Sequence, residues 1–338
     1  MTFATAAPTI PDSFRAYVFE SFGDALQEIK LRTNVPQPRV LGTTQVRIKV
    51  HAAALNPIDY KLVEAGQRFL PTAPSAEKPF RLGFDVAGTL VEVGADVTAF
   101  KVDDQVIALA YFGEIGSFAE YLVLDAKHLA LKPTSLTFNQ AAGLPLAGKT
   151  SYQALIQHGQ LKVGDRVLVL GGSGATGGMA IQIAKALGAS FVAATTSTRN
   201  VELVKSFGAD QVIDYTTRKW ADVLETHSID LIYDCGVEPQ AWDDVAQRVL
   251  KKDTGVFVTI ASHFVTPAES SFGATFHLFR TSPGSADLVA LTKLVDAGKL
   301  TIPIDSVHPF EDLVEAMEVQ KSGRARGKII LQVVVDSA

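Results

Sequence analysis

The 338-residue sequence contains one cysteine, Cys235, so no intrachain disulfide can form and no structural zinc cluster needing several thiolates can be assembled. A reducing compartment suits that usage. Dense Lys/Arg runs are missing, and 31 basic residues against 36 acidic ones leave a formal net charge of -5. Nucleic acid and anionic membrane surfaces are therefore poor candidate partners. No stretch of about 18 apolar residues runs without a charge or helix breaker. The opening MTFATAAPTIPDS lacks a basic region followed by an apolar core, so no secretory leader is expected there. These absences predict a soluble, cytoplasmic protein with no membrane and no nucleic-acid partner.

What is present points to two domains. The chain exceeds the length at which one core keeps growing, and its 47% hydrophobic content can fill two. Up to about residue 145 the sequence runs in short alternating segments broken by Gly and Pro, such as VRIKVHAAAL (46–55), AGTLVEVG (87–94) and DQVIALAYF (104–112). That pattern predicts a mostly β domain. Beyond it, apolar strands alternate with helical stretches: RVLVL (166–170), a helix over about 177–187, FVAATT (191–196), a helix over about 201–207, QVIDY (211–215), DLIYDC (230–235) and GVFVTIA (255–261). Such alternation implies a parallel sheet covered on both faces, an α/β doubly wound arrangement. The closing strand KIILQVVV has no helix after it and is expected to return to the first domain. With no long linker, the two domains are expected to meet across a ligand-binding cleft.

The stretch VLVLGGSGATGGMA (167–180) carries Gly172, Gly174 and Gly177 as G-x-G-x-x-G between a strand and a helix. The early glycines permit a tight turn and close approach to a pyrophosphate. The third lets the helix pack on the strand, and the helix N-terminus offers N–H groups to phosphate. In NAD-selective sites an acidic residue about 20 positions on binds the ribose 2′-hydroxyl. Here AATTSTRN supplies Thr195, Thr196, Ser197, Thr198, Arg199 and Asn200, with no carboxylate until Glu202. Hydroxyls and a cation suit a 2′-phosphate, so NADPH is the expected cofactor. A solvated Arg199 at a helix start is the alternative.

Several ordered stretches carry a family resemblance. NPIDYK (56–61), LGFDVAGTLVEVGADVTAFKVDDQV (82–106), GSFAEYLVL (116–124), AAGLPLAGKTSYQAL (141–155), the glycine turn, ELVKSFGADQVIDY (202–215) and GKIILQV (327–333) resemble the zinc-free, zeta-crystallin-like quinone oxidoreductases of the medium-chain dehydrogenase/reductase superfamily, and the related plant enone and alkenal reductases. The resemblance implies a GroES-like, mainly β catalytic domain over 1–147 and 302–338, with a Rossmann NADPH-binding domain inserted over 148–301. It also implies a homodimer or other homo-oligomer.

By the same resemblance Asn56, Asp59, Tyr60 and Lys61 line the cleft. Tyr60 is either a hydrogen-bond or proton donor to the acceptor oxygen or simply cleft packing, and Lys61 contacts NADPH. Cofactor contacts fall to Thr150, to Gly174, Ala175, Thr176 and Gly177 at the pyrophosphate, and to Ser197, Thr198, Arg199 and Asn200 at the 2′-phosphate. Tyr215 belongs at the adenosine end, and Ile260 and Ala261 near the nicotinamide ribose. Lys149 stands where relatives carry an apolar residue. Phe276, His277 and Phe279 form either an aromatic ceiling over the substrate or ordinary core and interface packing. Arg324 and Arg326 add charge that is either near the cofactor or in solvent.

Zinc-dependent relatives carry Gly-His-Glu and a catalytic cysteine. This chain has Gly83-Phe84-Asp85 at that motif and Asn56-Pro57 near the cysteine position, and its seven histidines, His263 among them, are scattered. No metal is expected. Without a Lewis acid the acceptor must already be electrophilic, which selects quinones and conjugated enones. The resulting expectation is an NADPH:quinone oxidoreductase, transferring hydride directly to small quinones without metal or flavin. An enone or 2-alkenal double-bond reductase is the near alternative, and a non-catalytic NADPH-binding protein, crystallin-like or RNA-binding, the distant one.

Overall fold

The structure is a computed structural model that describes residues 10–68, 70–111, 116–238, 240–261 and 269–334, without the side chain of residue 244. His263 and the extreme ends of the expected first domain lie outside the described residues. The chain divides into one unit of residues 1–146, 283–292 and 304–338 and a second of 147–282 and 293–303.

The first unit is built from β1 (Ser13–Phe19), β2 (Lys30–Pro36), β3 (Gln45–Ala54), β4 (Phe80–Arg81), β5 (Asp85–Val93), β6 (Gln105–Leu109), β7 (Tyr121–Asp125) and β8 (Leu129–Leu131). Alternation explains their faces: in β3, Val46, Ile48 and Val50 are fully buried and enter one core with Leu62, Leu82, Val86, Leu90 and Phe118. β1 pairs antiparallel with β2 and β4 in a small sheet. In the larger sheet, β5 lies antiparallel between β3 and β6, and β7 pairs with the early part of β3.

The second unit carries β9 (Arg166–Leu170), β10 (Phe191–Thr196), β11 (Gln211–Asp214), β12 (Leu231–Asp234), β13 (Val256–Thr259) and β14 (Thr275–Leu278). All neighbours run parallel, in the order β11-β10-β9-β12-β13-β14. Counted within the unit this is 3-2-1-4-5-6, the doubly wound Rossmann order. Strands buried on both faces read as continuous apolar runs, as RVLVL and LIYD do. The order reverses between β9 and β12, so the crevice beyond their carboxyl ends is the expected ligand position. Phe276 of β14 stacks on Phe257 at 5.7 Å and meets Trp242 edge-on at 5.2 Å, which makes it core packing. His277 and Phe279 gather about His158, at 6.0 and 4.5 Å between ring centroids.

The chain then adds β15 (Ile304–Pro309) and β16 (Lys328–Gln332) to the first unit. β16 runs parallel to β15 and antiparallel to β3, with Ile330 opposite Ala54. The orphan final strand is thus the one that brings Lys328 to the start of β5.

Candidate functional site

In the first unit, the helix Pro57–Ala65 begins at Asn56, and Pro57 at its first position fits there because that N–H has no intrahelical partner. Asp59, three residues in, reaches back so that Oδ2 accepts the Asn56 N–H at 2.7 Å. The Asn56 side chain turns elsewhere: Nδ2 donates to Asp85 Oδ2 at 2.9 Å, and Oδ1 accepts from Lys328 Nζ at 2.6 Å. Lys328 Nζ also donates to Leu55 O and to Asp85 Oδ2, both at 2.9 Å, so its three N–H bonds are all used. Asp85 Oδ1 accepts from Leu146 N at 2.7 Å. Asp59 and Asp85 are fully buried and Lys328 is 3% exposed. Burial pushes the Asp59 carboxyl up to about 8, against the lowering pull of the Asn56 N–H and Lys328, so near neutral pH it is mostly a neutral acid. The Lys328 ammonium then faces the Asp85 carboxylate.

That network fixes the start of the helix that carries Tyr60 and Lys61. Tyr60 is half-buried, and burial raises its phenol above the ordinary value, with Glu64 adding to the effect. The Lys61 ammonium lies 6.0 Å from the Tyr60 ring centroid, and the Lys61 side chain is exposed.

In the second unit the glycine turn joins β9 to the helix Ala175–Ala186, with Gly174 as its N-cap. A Cβ on Gly177 would lie 2.2 Å from Gly171 O, so only glycine lets the helix pack this close to the turn. Gly174 is different. A Cβ there would meet nothing nearer than Gly171 O at 3.7 Å, an ordinary contact. Nothing among the described residues requires that glycine, whereas a pyrophosphate lying on the turn would. The first-turn N–H groups of Ala175, Thr176 and Gly177 have no intrahelical acceptor and carry the positive end of the helix dipole. The turn is braced by Gly171 N donating to Thr195 Oγ1 at 3.0 Å and Ser151 Oγ donating to Thr176 O at 2.7 Å. These features fit a dinucleotide phosphate.

Beyond β10, Ser197, Thr198, Arg199 and Asn200 form one turn, with Thr198 and Arg199 exposed and Asn200 buried. Asn200 Nδ2 donates to Ser173 Oγ at 3.1 Å, tying this loop to the glycine turn, while Asn200 Oδ1 is buried with no hydrogen-bond partner among the described residues. Tyr215 follows β11 and is 59% exposed, its N–H bonded to Thr196 O. The Thr198 hydroxyl donates to Asp214 Oδ2 at 2.5 Å, so its one proton is engaged within the chain. Asp214 ends β11 opposite Thr196, and hydrogen bonds from Thr198 and Thr216 hold its carboxyl below the usual range. Its distance along the sequence hides it, because parallel register brings it beside β10.

Thr150 is buried, with Oγ1 2.6 Å from Thr281 Oγ1. Lys149 is fully buried and its ammonium donates to Ser282 O at 2.9 Å, which gives that buried cation a partner. Ile260 and Ala261 directly follow β13, with Ala261 N bonded to Thr259 Oγ1. Arg324 and Arg326 are exposed. The site residues therefore fall in two groups: Asn56, Asp59, Tyr60 and Lys61, with Asp85 and Lys328, in the first unit, and Thr150, the Gly174–Gly177 turn, Ser197 to Asn200, Tyr215, Ile260 and Ala261 in the second. Sequence reading missed the Asp85–Lys328 pair and Asp214; the return of the last strand was the one signal pointing toward Lys328.

Two family models match the chain, an alcohol dehydrogenase GroES-like domain over residues 42–134 and a zinc-binding dehydrogenase over residues 207–331. The 2-methylene-furan-3-one reductase of Solanum lycopersicum is 37% identical, over 96% of this chain and 80% of the tomato protein. The chloroplastic NADPH-dependent alkenal/one oxidoreductase of Arabidopsis thaliana is 36% identical, over 97% and 81%. The solved quinone oxidoreductase of Coxiella burnetii superposes with a TM-score of 0.80 at 33% identity, covering 95% of this chain and all of the other. The zinc-binding description raises the question of a metal. Zinc takes thiolate, imidazole or carboxylate donors. Here Phe84 offers carbon, and the Asn56 and Asp85 oxygens are bonded to an ammonium that would repel a second cation. Among the described residues no group of three His, Cys, Asp or Glu could hold a metal ion. The donor set does not fit zinc, whereas the glycine turn and the Rossmann crevice fit a nicotinamide dinucleotide. This chain is an oxidoreductase of the medium-chain dehydrogenase/reductase superfamily and belongs with its quinone oxidoreductases and enone or alkenal reductases.

Proposed function

We propose that the protein is an NADPH-dependent reductase of small conjugated carbonyl compounds, with quinones as its first acceptors. The observation that carries this reading is the pairing of a dinucleotide turn with an Asn56–Asp85–Lys328 knot that leaves no donor set for zinc. When bound, the reduced nicotinamide supplies a hydride, and the acceptor must accept it without metal activation.

The chain's own residues do the rest. The Gly174–Gly177 turn and the helix N-terminus bind the pyrophosphate, with Thr150 beside them. Ser197, Arg199 and Asn200 bind the 2′-phosphate, to which Arg199 brings a fixed cation and Asn200 a side chain already anchored on Ser173. Tyr215 takes the adenosine end, and Ile260 and Ala261 the nicotinamide ribose. Asn56, locked by Lys328 and Asp85, sets the helix start that orients Tyr60 and Lys61. Tyr60, protonated because burial raises its phenol, donates a hydrogen bond to the oxygen on which negative charge grows. Asp59, mostly neutral near pH 7, adds little negative charge to oppose it.

A second reading, reduction of an enone or 2-alkenal double bond, is favoured by the likeness to the tomato furanone reductase and the Arabidopsis alkenal/one oxidoreductase. A substrate panel of 1,4-benzoquinone, 9,10-phenanthrenequinone and a medium-chain 2-alkenal separates the two. Higher kcat/KM with the quinones supports the first reading, and higher kcat/KM with the alkenal replaces it with the second.

A further inference from the structure

We propose that Asp234 is a positioning residue for the nicotinamide half of the dinucleotide, acting through Thr259 on the Ile260–Ala261 main chain; the proposal rests on the nucleotide reading above. Asp234 is the last residue of β12 and lies opposite Leu170 of β9 on one side and Thr259 of β13 on the other. It therefore stands at the carboxyl edge of the sheet where the strand order reverses, beside the start of the glycine turn. Its Oδ2 accepts from Thr259 Oγ1 at 2.9 Å, and Thr259 Oγ1 in turn accepts from Ala261 N at 2.9 Å. Its Oδ1 accepts from Glu238 N at 3.2 Å, and its main-chain oxygen from Ile260 N at 3.4 Å. One carboxylate thus pins two chain segments, 235–238 and 259–261. The first packs on the turn itself: a Cβ on Gly171 would come within 2.7 Å of Gly236 Cα.

Packing alone does not ask for a charge here. Asp234 and Thr259 are fully buried and Ala261 is 1% exposed. The donors to Asp234 are neutral, and the ionisable groups acting on it among the described residues, Glu238 and Cys235, bring no positive charge. Burial raises its carboxyl to about 6, with Glu238 pushing the same way and the Glu238 N–H and Thr259 hydroxyl pulling it back. A neutral side chain of the same size would satisfy either donor at lower cost. A buried acid with no cation beside it among the described residues, at the edge where ligands bind, is the kind of local cost that marks a functional position. As an acceptor for both donors, the carboxylate fixes the direction of the hydroxyl: Thr259 gives its proton to Asp234 and keeps a lone pair for Ala261 N–H. The 260–261 main chain is then held before a ligand arrives.

The test compares the whole cofactor with a fragment that lacks the nicotinamide. In Asp234→Asn one of the two donors meets an NH2 group. The expected result is a Kd for NADPH weakened about tenfold, with the Kd for 2′,5′-ADP changed less than about twofold. Thr259→Val should reproduce the selective loss, and Thr259→Ser, which keeps the hydroxyl, should restore NADPH binding. Equal weakening toward both ligands, or a Thr259→Val protein that binds NADPH as the wild type does, would overturn the proposal. A wild-type protein that binds neither ligand overturns the nucleotide reading, and this inference with it.

Discussion

Lys328→Met removes the one cation of the buried knot while keeping most of the side chain's length and volume. Lys328 Nζ bonds three oxygens at 2.6–2.9 Å, and its partner Asp85 is fully buried. Losing one member of a buried pair strands the other charge, which costs about 3–5 kcal/mol. For a cooperative unit of roughly 150–250 residues each kcal/mol moves Tm by about 2–4 °C, so a loss near 4 kcal/mol corresponds to about 8–16 °C. Thermal unfolding followed by circular dichroism reads this directly. Asp85→Asn alone leaves the ammonium unbalanced and should also destabilise. The double variant removes both charges, so its loss should fall short of the summed single losses by about 2 kcal/mol or more. Recovery stays partial because Asp85 also holds Leu146 N and the Asn56 amide. A Tm drop under about 2 °C for Lys328→Met, or strict additivity, would refute the view that this pair organises the site.

Asp59 sets a pH dependence. Its carboxyl is raised to about 8 in the fold, so its contribution is fully present below the ordinary value near 4 and is lost as pH rises toward and through about 8. The Tm of the wild type relative to Asp59→Asn should therefore fall steadily between about pH 5 and pH 8; a constant difference contradicts the assignment. Gly174→Ala should leave Tm within about 2 °C yet weaken NADPH binding at least tenfold, because its new methyl meets the cofactor and not the protein, whereas Gly177→Ala should lower Tm by several degrees. Calorimetry and NADPH titration separate the two glycines, and equal Tm losses would remove the ligand-based reason for Gly174. Arg199→Ala should raise the KM for NADPH about tenfold or more and leave that for NADH nearly unchanged. Equal changes would show that Arg199 does not meet the 2′-phosphate.

What the sequence made legible was local. Gly172, Gly174 and Gly177 stand within six consecutive residues between a strand and a helix, and the apolar runs around them carry the alternation that builds the parallel sheet. What escaped depends on contacts that folding alone creates. Asp85 and Lys328 are 243 residues apart and meet only because β16 pairs with β3, which in turn pairs with β5. Asp214 reaches Thr198 across a parallel register and engages the proton of a hydroxyl expected among the phosphate ligands. Asp234 reads in sequence as the end of one more apolar strand; its position at the reversal of strand order depends on which strands become neighbours. Phe276 shows the same limit from the other side, since an aromatic read as a possible substrate ceiling finds its stacking partner in Phe257.

The central claim, nicotinamide-dependent reduction of an already conjugated acceptor without metal, is tested most directly by one rate. NADPH oxidation in the presence of 1,4-benzoquinone is measured before and after exhaustive dialysis against a strong chelator. Quinone-dependent NADPH consumption at the same rate in both samples is the expected result. Loss of the rate on chelation with recovery on adding zinc, or no consumption with any quinone or enone, would contradict it.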